Sequence, residues 1–142
     1  MKVFYLLPVA VVLGVVLYLE WNHGKPPPVR VMSGPPFVST PITNLTANFF
    51  TSEGHLGPAA NDVFIEFRDA GGKLADVGDV RFELRLAGPG AIMKSTFKAL
   101  RTSTPGQYRI NVQPQIVGDW QGTLLIVGPT NHAQASFPVT VK

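Results

Sequence analysis

The sequence has no cysteine. That excludes disulfides, thiolate metal sites, iron–sulfur clusters and c-type haem attachment. Charge is also scarce: 15% of the 142 residues are charged, 12 Lys and Arg against 9 Asp and Glu. The two signs are interspersed, with no basic cluster and no aromatic ladder, so nothing supports nucleic-acid binding. Catalytic signatures are missing too, with no G-x-S-x-G and no H-E-x-x-H. The glycine-rich stretches AGPGA and DAGGK join expected strands and open no helix, so they do not cradle a phosphate. We therefore expect no enzyme, no catalytic residue, no cofactor and no small-molecule substrate.

What the chain does have is apolar residues, at 45%, together with 14 Gly and 13 Pro. One apolar run stands apart. Residues 3–19, VFYLLPVAVVLGVVLYL, carry no charge over seventeen positions. At about 1.5 Å per helical residue this lies just inside the lower limit for crossing a bilayer core. A cleaved signal peptide would end in small residues, whereas bulky Tyr18, Leu19 and Trp21 stand here. The expectation is a retained transmembrane anchor over residues 1–22, bound to the lipid bilayer through residues 3–19. Tyr18 and Trp21 suit the interface, and Pro8 bends the helix. Gly14 offers a small contact point for another helix. Lys2 on one side and Lys25 and Arg30 on the other leave the orientation open by charge; the β-rich remainder favours a domain outside. Residues 23–43 contain Pro26, Pro27, Pro28, Pro35, Pro36 and Pro41. They read as an extended linker, at about 3.1 Å per residue.

From residue 44 onward the pattern changes to period two, that of strands with one wet face. Leu45, Ala47 and Phe49 share a face, as do Val63, Ile65 and Phe67. Val80, Phe82, Leu84 and Leu86 alternate with Arg81, Glu83 and Arg85. KSTFKALR, QYRINVQ, GDWQGTLLIVG and AQASFPVTVK follow, separated by turns. This gives about seven strands in about a hundred residues, an immunoglobulin-like antiparallel sandwich over 44–142. An eight-stranded barrel is the alternative. Trp120 is expected in the core, with Asp119 in a turn.

Three pieces occur in order: NDVFIEFRDAGGKLAD, VRFELRLAGPGAIMKSTFKAL and TPGQYRINVQPQIVGDWQGTLLIV. Their order resembles the YtkA-like and FixH-like family of exported bacterial domains. The resemblance implies an immunoglobulin-like fold, tethered by one N-terminal helix to the bacterial inner membrane with the domain in the periplasm. It also implies a setting beside oxidase-assembly or heavy-metal-transport systems. Some relatives carry methionine-rich loops suited to Cu(I). The matching loop here, AGPGAIMK, keeps only Met93. His55 and His132 are the other weak metal candidates, and with His23 they show no ligand spacing, so no metal is expected.

Adjacent Phe49 and Phe50 must face opposite sides of a strand, and Phe64 lies between two inward residues. Phe50 and Phe64 therefore become candidate docking residues, joined by Gly14 and Trp21 in the anchor. The leading expectation is a non-catalytic single-pass protein. Its extracytoplasmic sandwich would dock on and stabilise a larger membrane protein complex as an accessory subunit, an electron-transfer complex being one candidate. The alternative is periplasmic copper or heavy-metal handling, or oxidase assembly.

Overall fold

Period-two alternation of apolar side chains lets a strand bury one face and wet the other. Among the described residues the chain does this in eight strands; in a ninth, Leu100–Arg101, both residues are exposed. In the computed structural model, residues 32, 34–86, 88, 93–129 and 132–142 are described. The anchor 1–22, with Gly14 and Trp21, lies outside them. The strands are β1 (Val38–Ile42), β2 (Leu45–Phe50), β3 (Asn61–Arg68), β4 (Asp79–Leu86), β5 (Lys94–Lys98), β6 (Leu100–Arg101), β7 (Gln107–Val112), β8 (Gly118–Val127) and β9 (His132–Val141). They form two antiparallel sheets, ordered β1-β2-β3-β7-β6 and β5-β4-β8-β9. No helix occurs among the described residues.

The inward residues of both sheets make one core. Ala47, Phe49, Val63, Ile65 and Phe67 from the first sheet meet Phe82, Leu84, Trp120, Leu124 and Val139 from the second. The Phe49 ring bridges the layers, with centroids 5.5 Å from Phe82 and 5.1 Å from Phe137. Phe82 and Phe137 stack at 6.0 Å. Gly122 sits under that pair, and a Cβ there would lie 2.8 Å from Phe137. Gly106 turns the chain into β7 at φ +85°, where a Cβ would lie 2.7 Å from the Ala75 nitrogen. Trp120 is buried, its indole N–H donating to the Ile116 carbonyl at 3.0 Å.

Several expectations need correction. The sheets are two separate ladders, so the barrel alternative falls. The sandwich starts at Val38, because β1 pairs with β2 from Val38↔Phe49 to Ile42↔Leu45. Residues 38–42, assigned to the linker, therefore belong to the sheet. The single strand expected at KSTFKALR is two. The chain leaves the second sheet after Lys98, and buried Ala99 carries it across to β6 in the first. Asp119 lies within β8, paired with Thr140, and not in a turn.

The sandwich has two ends. At the upper end lie the β1–β2 turn at Thr43 and Asn44, the β3–β4 connection 69–78, the β6–β7 turn 102–106, and Gly128 and Pro129 after β8. At the lower end lie the β2–β3 connection 51–60, the β7–β8 connection 113–117, Phe37 and Lys142. There the Gln115 amide donates to Pro58 and the Lys142 amide to Leu56.

Candidate functional site

The four sheet edges are finished differently. Proline cannot donate to a ladder, so it blunts an edge. β1 carries Pro41 and β9 carries Pro138. The edge strand β6 has only two residues, which cover Tyr108 and Arg109 of β7 and nothing further down. β5 has five residues, no proline, and nothing paired on its outer side among the described residues. The sandwich is therefore open on the side where β5 and the lower half of β7 face each other.

A groove of about 530 Å³ runs along that opening, lined among others by Thr96, Phe97, Lys98, Leu100 and Ile110. Phe97 is half-buried against the core. Leu100 is 66% exposed, an unusually open position for a leucine in a strand. Asp62 and Arg109 close one rim with a 2.9 Å ion pair. That pairing holds the Asp62 carboxyl below the usual carboxylate range, the hydrogen bond from Arg109 being the main cause.

A larger hollow, about 620 Å³, lies at the upper end among Thr43, Asn44, Asp76, Val77, Pro129 and His132. Its acid serves the fold. Asp76 Oδ1 accepts from the Gly78 amide at 3.0 Å, the Tyr108 hydroxyl at 2.8 Å and Arg101 at 3.2 Å. The Gly78 amide, then Tyr108, then the Arg101 charge hold this carboxyl low. Burial pushes the Tyr108 phenol up, with Asp76 adding to the effect. The arrangement ties the β3–β4 connection to β7, which is structural work.

The residues singled out in the sequence do not come together. Phe50 is buried at 8% exposure, so it presents no docking surface. Phe64, its cross-strand partner on the outer face, is half-buried, with the Arg109 guanidinium 6.0 Å over its ring. His55 is a half-buried loop residue whose Nδ1 lies 3.1 Å from the Glu53 carbonyl. His132 is exposed and opens β9, rather than sitting in a turn. The bridge Leu56↔Val141 puts His55 beside the far end of β9, so the two imidazoles lie about 30 Å apart at 3.3 Å per strand residue. Met93 is half-buried at the opposite edge of the same sheet, against Leu86. About 4.8 Å per strand separates it from the His55 side by roughly 20 Å. Among the described residues no cluster of three His, Cys, Asp or Glu could hold a metal, and no helix is long and apolar enough to cross a membrane.

Sequence reasoning missed three things. Glu66 lies on the outer face of β3 yet is 1% exposed, held by Arg68 at 2.7 Å and by Gln107 at 3.3 Å. Ile116 and Val117 stand exposed at the lower end. The open groove was hidden because KSTFKALR read as one strand, although Leu100 puts an apolar residue on the outward side of its alternation. Compared with family models, curated proteins and solved structures, the chain matches none.

Proposed function

We propose that this protein is a non-catalytic docking module. An N-terminal anchor at residues 3–19 holds it in a bacterial inner membrane. Its extracytoplasmic sandwich binds and stabilises a larger membrane protein complex as an accessory subunit. The observation that carries the docking reading is the open side of the sandwich. A strand edge with no proline lies beside a groove floored by Phe97 and Ile110 and rimmed by 66%-exposed Leu100. Exposed apolar surface next to unpaired backbone favours a protein partner.

The finer immunoglobulin-like assignment has its support in strand order. With β1 and β5 set aside, β2-β3-β7-β6 and β4-β8-β9 follow the A-B-E-D and C-F-G connectivity of constant-type immunoglobulin domains. The membrane reading rests on the uncharged run and on where the chain enters the sheet. Phe37 comes in at the lower end, where Val117 is 59% exposed and Ile116 42%. In this reading that end would face the membrane, leaving the sides for a partner.

The test is a mild-detergent purification of the tagged full-length protein from its native membrane, with mass spectrometry and a metal assay on the eluate. Stoichiometric recovery of a multi-subunit membrane complex without copper is the expected result. A lone protein carrying copper would favour metal handling instead, and a lone protein without metal would remove the accessory-subunit reading.

A further inference from the structure

The outer face of the β4–β5 ladder is electrostatically unfavourable as it stands. Arg81 pairs directly with Lys98, and Arg85 directly with Lys94. All four side chains are exposed on the wet face. Like charges directly opposite each other destabilise a strand pair. Glu83 lies between the two pairs, 3.5 Å from Lys94, and exposed Asp79 precedes Arg81 on the same face of β4. Edge lysines alone would be ordinary protection against indiscriminate pairing. Arg81 and Arg85 lie one strand inward, where they protect no edge and stand directly opposite the two lysines.

The backbone of the same strand is open. The Leu86 amide donates to Met93 and the Ala99 amide to Val80, bracketing β5. Alternation along an antiparallel pair then turns Met93, Ser95, Phe97 and Ala99 toward β4. The N–H and C=O groups of Lys94, Thr96 and Lys98 point away from the sheet, toward solvent.

We propose that β5 is a strand-addition site for an extended acidic segment of a partner protein. This rests on the docking reading above and names the partner's chemistry. Backbone bonds to Lys94, Thr96 and Lys98 supply the pairing. A strand added there has two faces. Its inward side chains reach the groove over Phe97, Leu100 and Ile110, so they are apolar. Its outward side chains lie beside Lys94 and Lys98, so they are Asp or Glu. The occupant alternates apolar and acidic residues, and its charge relieves the repulsion built into β4–β5.

The probe is a capped octapeptide of alternating Glu and Val, titrated into the ¹⁵N-labelled full-length protein in detergent micelles. The Lys94, Thr96 and Lys98 amides should shift and exchange more slowly with solvent. Thr96→Pro removes an N–H that β4 does not use, so this variant should keep its fold and lose the binding. Lys98→Glu should weaken binding about tenfold. The same peptide N-methylated at alternate residues, which requires no change to the protein, should not bind. An unresponsive edge would overturn the proposal. So would equal binding of the N-methylated peptide or by Thr96→Pro, which would mean charge attraction alone. Equal binding of a Lys-Val octapeptide, or the same protection from phosphatidylglycerol vesicles, would overturn it too. If wild type and Thr96→Pro both co-purify with the complex, the docking reading stands and the edge assignment fails. If wild type does not co-purify, the docking reading itself fails.

Discussion

The two outer faces of the sandwich are built on opposite terms. The face of β2, β3 and β7 is polar yet partly closed. Gly72, Arg68, Glu66, Gln107 and Thr102 are linked in one hydrogen-bonded row, with Glu66 and Gln107 both buried. The face of β4, β5 and β8 is open and carries Arg81, Arg85, Lys94 and Lys98, with Asp79, Glu83 and Asp119 also on it, of which Glu83 pairs with Lys94. On the first face charges are placed to satisfy one another. On the second, like charges are placed opposite each other and left in solvent. The first arrangement stabilises the chain alone; the second, on the proposal above, gains stability when an acidic strand is added to β5.

The largest break in that contrast is Arg68→Ala. It leaves the buried Glu66 carboxylate without its cation, and we expect a loss of roughly 3 kcal/mol of unfolding free energy in a urea titration. Arg81→Ala on the other face should cost nothing or stabilise slightly. Equal losses at the two sites would erase the distinction.

Next is Tyr108→Phe, which removes the hydroxyl joining Asp76 Oδ1, the Gly78 carbonyl and the Val77 amide. The expected loss is about 1–2 kcal/mol, with faster amide exchange confined to the β3–β4 connection. A uniform effect across the domain would show that this link is not local.

Acid should act through Asp62 and Asp76. Both carboxyls are held below their ordinary values, by Arg109 and by the Gly78 amide respectively. The folded state therefore binds fewer protons than the unfolded chain over that interval. Their contribution is complete above the ordinary value of about 4 and is lost as pH falls through the lower folded values. Asp76→Asn should flatten part of the decline in melting temperature below pH 4.

The smallest effect has the most telling sign. Lys98→Glu turns an opposed like pair into an ion pair with Arg81, so it should stabilise the free domain by about 0.5 kcal/mol. The same change should weaken partner binding. Stabilisation combined with lost binding is the signature expected of a surface kept for recognition. A destabilised Lys98→Glu domain would show that the basic ladder is already balanced from elsewhere.

Much of the fold was legible because alternation is a local signal. Val80, Phe82 and Leu84 announced their inward face without any knowledge of their partners, and Tyr108, Ile110 and Val112 did the same. Three features resisted. β1 was hidden by Pro41, since proline in a strand is tolerated only at an edge, and edges do not exist in one dimension. Phe50 looked exposed because alternation assigns it outward, yet outward is not open once the rest of the structure closes over it. Glu66 followed the pattern of a wet-face residue, while its burial depends on Arg68 beside it and on Gln107, brought in from β7.

By itself the amino-acid order determined the strand periods, the turns, the uncharged run at 3–19 and the absence of thiol chemistry. These rest on neighbours along the chain, where a residue's φ preference or its apolar character acts at once. Tertiary structure alone decided which strands pair and where KSTFKALR changes sheet. It likewise set which edges stay open and brought Arg81 opposite Lys98. Those outcomes depend on contacts between distant segments, formed only when two apolar faces close on one another and every remaining polar group must find a partner or water.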